Sequence, residues 1–217
     1  MSARPPRPPL FADRDDAGRQ LATALRGEGG EGAVVLGLAR GGIPVAAVVA
    51  EALDAPLDVL VVRKVGHPAN KELAIGAVTP SGEGVLAAPG SPGVQALVEA
   101  SQEEARAMER RLHGERSPLE VSGRTCILVD DGLATGATMV AACRHARAAG
   151  AARVIAAVPV ASLDGFHALR EEADDVVCPF PVADFWSVSL WYRHFGATSE
   201  DEVRRLLDAA QERRASP

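Results

Sequence analysis

Lysine is nearly missing from this chain of 217 residues: of 23 basic side chains only Lys64 and Lys71 are lysines, both in one short segment. Chance could produce that. So could a site needing a compact, mobile ammonium where arginine serves elsewhere. Cysteine is scarce too. Cys126, Cys143 and Cys178 are widely spaced, with no Cys-x-x-Cys pair, and read as inert buried thiols. The five histidines form no visible metal-ligand cluster. An excess of positive charge is absent, and a net charge of −6 argues against a nucleic-acid footprint. No apolar run reaches the roughly 18 residues of a membrane span. The opening MSARPPRPP lacks the apolar core of a secretory signal, so 1–10 reads as a disordered proline-rich tail. A soluble cytoplasmic protein is expected, with neither nucleic acid nor membrane as partner.

What is present is an alternation of buried strands and helices across a single domain, 1–217. Asp13 suits the N-cap of a helix to Arg26, with Ala17, Leu21, Ala24 and Leu25 inward. Ala33–Leu38 and Leu57–Arg63 are near-continuous apolar strands, separated by a helix near Pro44–Leu53. Lys71–Thr79 and Val85–Ala88 suit short strands of an antiparallel kind, and Ser91–Leu112 carries an amphipathic helical stripe. Thr125–Asp130, Arg153–Val160 and Asp175–Cys178 continue the strands, with helices at Gly136–Ala149 and Leu163–Arg170. Ser199 and Glu202 form a capping box for a last helix. Such runs imply an α/β fold, a parallel sheet covered on both faces. Gly27–Gly32 spells Gly-x-Gly-x-x-Gly, but it precedes a strand, so it is a loop and no dinucleotide fingerprint.

The densest chemistry lies in Ile127–Met139, ILVDDGLATGATM. An apolar strand ends in Asp130 and Asp131, and a small-residue turn then leads into an alanine-rich helix. A turn without bulk lets backbone N–H groups close on a phosphate, and the positive helix end favours the anion. Two carboxylates can accept hydrogen bonds from a vicinal diol or hold a hydrated Mg²⁺. An ordinary strand–turn–helix joint with capping acids would look alike. The segment resembles the phosphoribosyl-diphosphate (PRPP) signature of type I phosphoribosyltransferases. Gly132 departs from that pattern, which usually carries an apolar residue there.

The resemblance implies a twisted parallel sheet flanked by helices, an inserted helical lid over 66–123, and a small C-terminal hood within 179–217. It also implies a phosphoribosyl transfer from PRPP to a nitrogenous base or related acceptor, releasing pyrophosphate with Mg²⁺ as cofactor. Asp130 and Asp131 would hold the ribose hydroxyls and the metal. Ala134, Thr135, Gly136, Ala137 and Thr138 would grip the 5-phosphate. Arg40, Gly41 and Gly42 resemble the family's pyrophosphate loop, and Arg63 with Lys64 would face the same group. Catalysis would rest on Asp131, Lys64 and Arg40. His67 reads as a surface imidazole.

Aromatic residues are only 4% of the chain, yet most fall in Phe180–Phe195. The cluster suits a flap packed on the core. It also resembles the hood that stacks on a planar base, with Phe185 or Trp186 as the stacking ring. At Ala134 the 6-oxopurine branch typically carries an Asp; alanine resembles the adenine and orotate branches instead. The acceptor itself is not legible, and a homodimer stays open. Two other functions fit the same pocket, a PRPP-binding regulator without chemistry and a hydrolase of a phosphorylated sugar.

Overall fold

Residues 9–30, 32–67, 70–86 and 93–215 are described by the computed structural model, without the side chains of 70–74. Asp13 accepts a hydrogen bond from the Asp16 amide at 2.9 Å and so caps α1 (Arg14–Ala24). The chain runs on through β1 (Val34–Leu38), α2 (Gly42–Ala52), β2 (Leu57–Leu60), β3 (Arg63–His67), β4 (Asn70–Val78) and β5 (Gly84–Leu86). Then come α3 (Val94–His113), β6 (Thr125–Val129), α4 (Ala137–Ala148), β7 (Arg153–Ala157) and β8 (Val160–Ser162). Next are α5 (Leu163–Leu169), β9 (Asp175–Val177) and β10 (Phe180–Val182), and a 3-10 turn at Val188–Trp191 leads to α6 (Glu200–Ala215).

The expected parallel sheet has the order β2-β1-β6-β7-β9, every pair parallel. Its pleat divides the apolar runs between two cores. Val35, Ile127, Val129 and Ile155 face one side with α2 and α6, while Val34, Leu36, Cys126 and Leu128 face the other with α4. Burial on both faces is why these strands show no polar alternation. From β1 the chain moves outward to β2, then returns to lay β6 on the other flank. The carboxyl ends of β1 and β6 therefore flank the switch point where α/β sheets bind ligands.

Two expected strands prove to be pairs. Leu57–Arg63 splits into β2, in the parallel sheet, and β3, which starts an antiparallel sheet of order β3-β4-β5. Arg153–Val160 splits at Val158 and Pro159 into β7 and β8. Proline has no N–H to continue a ladder, and β8 pairs instead with β10 in a small separate sheet. On α1 the inward residue is Ala22, while Ala24 is exposed. Val85–Ala88 is described only as far as Leu86, as β5, and the start of Ser91–Leu112 lies outside the described residues.

The segment expected as a lid, 66–123, holds most of the antiparallel sheet and α3. That helix joins the main core through Ala105, Met108 and Leu112. Beneath it, the buried Asp58 carboxylate of β2 bonds His113 Nε2 at 2.9 Å and accepts from the Leu119 amide at 2.8 Å. The hood forms a third core of Phe11, Trp191 and Tyr192, with Leu10, Phe180, Phe185 and Phe195 against it. Leu10 thus packs on the hood instead of belonging to a loose tail, and Phe11 bridges to Tyr192 in parallel. No helix among the described residues is long and apolar enough to cross a membrane.

Candidate active site

β6 delivers Asp130 and Asp131 to its carboxyl end, directly beside the loop that leaves β1. A Cβ on Gly41 would stand 2.4 Å from Asp131 Oδ2, and one on Gly42 would stand 2.6 Å from the Val129 carbonyl oxygen and 2.9 Å from Asp130 Cα. Glycine is needed at both places for space, since Gly41 has an ordinary helical φ of −60°. The peptide between Ala39 and Arg40 is cis.

Asp130 Oδ1 accepts the Asp131 amide at 2.8 Å. Asp131 is clamped at both ends. Arg14, at the first position of α1, reaches Asp131 Oδ2 with Nε at 2.9 Å and Nη2 at 2.8 Å, and Tyr192 donates its hydroxyl to the Asp131 carbonyl at 2.5 Å. Burial pushes the Asp130 carboxyl well above the usual range, and the neighbouring Asp131 charge adds to this; Arg14 and Lys64 oppose it. Asp131 is also raised by burial, against the pull of Arg14. A buried carboxylate and a half-buried one beside one contacting cation make a place that gains from a further cation. They are the candidate metal ligands, and no group of three or more such donors occurs among the described residues.

The turn after the acids is fixed by the hood side and open on the other. Leu133 donates its amide to the Val160 carbonyl at 2.9 Å and accepts from the Ser162 amide at 2.8 Å, while the Ser162 hydroxyl donates to the Ala134 carbonyl. Gly136 then takes φ +84°, a left-handed conformation glycine adopts freely, and begins α4 with no side-chain cap. The Val140 amide reaches the Gly136 carbonyl at 2.9 Å. Helix geometry leaves the preceding first-turn amides, those of Ala137 and Thr138 included, without intrahelical partners. Ala134 and Thr135 are exposed there, and Ala137 and Thr138 half-buried. The irregular Gly132 has a local cause: a Cβ would lie 2.7 Å from Val188 Cγ1 of the hood.

The basic residues divide. Lys64 is exposed, and its charge acts on Asp130. Arg40 and Arg63 line a neighbouring cavity of about 280 Å³ with Met108, Arg111, Glu104 and Glu200. Arg63 there pairs with Glu104 at 2.6 Å, and Arg111 grips Glu200 with two bonds of 3.0 Å. Lys71 falls in β4, but its side chain lies outside the described residues. Of the two hood candidates, Phe185 is half-buried, 6.1 Å from Trp191 between ring centroids, whereas Trp186 is 84% exposed. A larger cavity of about 830 Å³, lined by Asp58, His113, Arg116 and Arg214 among others, includes none of the site residues.

Sequence reasoning missed Arg14, Tyr192 and Arg111. A signal existed for the first: a cation in the first turn opposes the helix dipole, an unfavourable choice without an outside anion. Tyr192, the chain's single tyrosine, offered only its rarity.

The phosphoribosyl transferase domain family matches residues 13–190 of this chain. A Mycobacterium tuberculosis (strain H37Rv) protein provisionally named a phosphoribosyl transferase is 48% identical over 209 residues, which is 93% of this chain and 47% of that protein. The chain thus spans about half the length of that relative. A crystal structure of a Thermus thermophilus protein is 40% identical and superposes with a TM-score of 0.79, covering 91% of this chain and 97% of the other. By these matches, and by a glycine loop pressed on paired aspartates at the switch point, the chain belongs to the phosphoribosyl transferase domain family.

Proposed function

We propose that this protein transfers the 5-phosphoribosyl group of PRPP to a nitrogenous, base-like acceptor and releases pyrophosphate. The observation that carries the reading is the approach of Gly41 and Gly42 to Asp131 and Asp130, beside the uncapped first turn of α4. Few ligands need an anion site at a helix start and a pair of carboxylates one turn away; a phosphorylated ribose needs both.

In this reading the amides and hydroxyls of Thr135–Thr138 hold the 5-phosphate, and its binding energy orients the sugar. Asp130 and Asp131 accept hydrogen bonds from the ribose hydroxyls. As the bond from carbon 1 to the pyrophosphate oxygen breaks, positive charge grows on the ring and the acid pair faces it. The acceptor nitrogen bonds to carbon 1 and gives up its proton to water or the released pyrophosphate, while Arg40 and Lys64 balance the departing pyrophosphate. Asp130 and Asp131 would hold Mg²⁺, which would supply charge to neutralise the departing pyrophosphate. Trp186, exposed in the hood, is the candidate stacking ring for the acceptor.

Incubation with PRPP, Mg²⁺ and a panel of bases, following pyrophosphate release, tests the proposal. Release that depends on one base supports transfer. Equal release without any base indicates a hydrolase, binding without turnover indicates a sensor, and absence of PRPP binding removes the reading.

A further inference from the structure

We infer that Arg14 and Tyr192 are positioning residues that fix the Asp131 carboxylate, so that Oδ2 is committed within the protein and Oδ1 is presented to the ribose. The inference rests on the PRPP reading of the site and adds a part that the signature motif does not contain.

Among the described residues, the contacts that other side chains make with the Asp131 carboxylate fall on one oxygen. Arg14 meets Oδ2 with two nitrogens, and the backbone of Gly41 walls the same oxygen so closely that a Cβ there would sit 2.4 Å away. Oδ1 is the atom left for a ligand hydroxyl. Arg14 itself is 12% exposed and cannot swing freely. Its Nη1 donates to the Gly196 carbonyl at 2.7 Å, and its guanidinium lies 4.0 Å over the Phe195 ring. Phe195 packs on Tyr192 at 5.0 Å, and Tyr192 on Phe11 at 5.1 Å. Tyr192 then closes the circuit by bonding the Asp131 main-chain carbonyl.

The consequence is a physical link between the hood and the acids. The aromatic hood grips Asp131 through its side chain, by Arg14, and through its backbone, by Tyr192. Lysine could replace the charge of Arg14 but not its fork, which spans Asp131 and Gly196 while stacking on Phe195. With Asp131 held, a sugar meets a fixed acceptor and spends no binding energy ordering it.

Calorimetry on the purified chain separates this role from mere stability. Orthophosphate, which needs only the start of α4, and PRPP with Mg²⁺ serve as the two probes, each with wild type, Arg14→Gln, Arg14→Lys, Tyr192→Phe, Asp131→Asn and Arg14→Gln/Asp131→Asn. Arg14→Gln should weaken PRPP about tenfold or more, with Arg14→Lys intermediate and Tyr192→Phe weakened severalfold, while orthophosphate affinity stays within about twofold. In the Asp131→Asn background Arg14→Gln should add no further loss of PRPP affinity. Equal loss of both probes, or full additivity in the double variant, overturns the inference. If Arg14→Gln does not fold, Tyr192→Phe decides: unchanged PRPP affinity overturns the inference, and a selective loss supports it. Wild type that binds no PRPP would instead defeat the functional reading beneath it.

Discussion

At the scale of single residues, the site depends on what is absent from two side chains. Gly42 lies so near the Val129 carbonyl and Asp130 that Gly42→Ala must push β1's loop and the acids apart. A loss of PRPP affinity of roughly tenfold or more is expected, measured by calorimetry with thermal melting as control. An affinity equal to wild type would show that the loop and acids do not act together. Trp186 offers the opposite case, an exposed ring packed on little. Trp186→Ala should leave melting and PRPP affinity unchanged and raise KM for the acceptor several-fold, as expected for one lost stacking partner. The paired acids, the small-residue turn and the glycine pair stood out in the sequence because each is contiguous, and the structure brings the glycine pair against the acids. Arg14 was not, since its partner Asp131 lies 117 positions away. Tyr192 was hidden in the same way: it acts through a main-chain carbonyl, which leaves no trace in sequence.

Among the elements, the antiparallel sheet shows how a piece outside the parallel sheet is held to the core. Its β4–β5 turn is anchored from two helices. Gln102 and Arg106 of α3 donate to the Pro80 carbonyl at 3.1 and 2.9 Å, and His145 of α4 meets Glu83 at 3.1 Å and Ser81 at 2.8 Å. Burial pushes the Glu83 carboxyl up, but hydrogen bonds from Ser81, His145 and Thr79 outweigh it and hold the pKa at about 2. A depressed pKa stabilises the fold above the ordinary value near 4.5, and that contribution is lost as pH falls toward about 2. Glu83→Gln should therefore melt lower than wild type at pH 6, with the gap closing near pH 2. A gap of constant size would contradict the pairing. The His113–Asp58 contact works with the reverse sign. Hydrogen bonding to Asp58 raises the His113 pKa, so its contribution is full below pH 6.5 and fades as pH rises through the folded value. Wild type should lose stability from neutral to alkaline pH by more than His113→Gln does, and parallel curves would refute this. The split of Leu57–Arg63 escaped sequence analysis because the apolar run through Val62 continues while the chain changes sheets. Burial by two different neighbours leaves the same pattern of letters.

Over the whole molecule, the fold was legible where strands are buried on both faces, because continuous apolar runs between helices admit few arrangements. The hood was legible only as an aromatic cluster. Its β8–β10 pairing and its bond to the N-terminal segment join parts far apart in sequence, and no local pattern announces them. Cys126 and Cys143 are buried as expected and both pushed up to about 12 by burial, whereas Cys178 is half-buried and pushed up to about 11. What the molecule does as a unit is to bring an anion-seeking helix start, paired carboxylates and a glycine loop to one end of one sheet. A crystal structure with PRPP and Mg²⁺ bound tests that convergence most directly. The 5-phosphate should lie on the amides of Thr135–Thr138, the ribose hydroxyls on Asp130 and Asp131, and the pyrophosphate against Arg40–Gly42. PRPP bound elsewhere, or the start of α4 left empty at saturating PRPP, would contradict it.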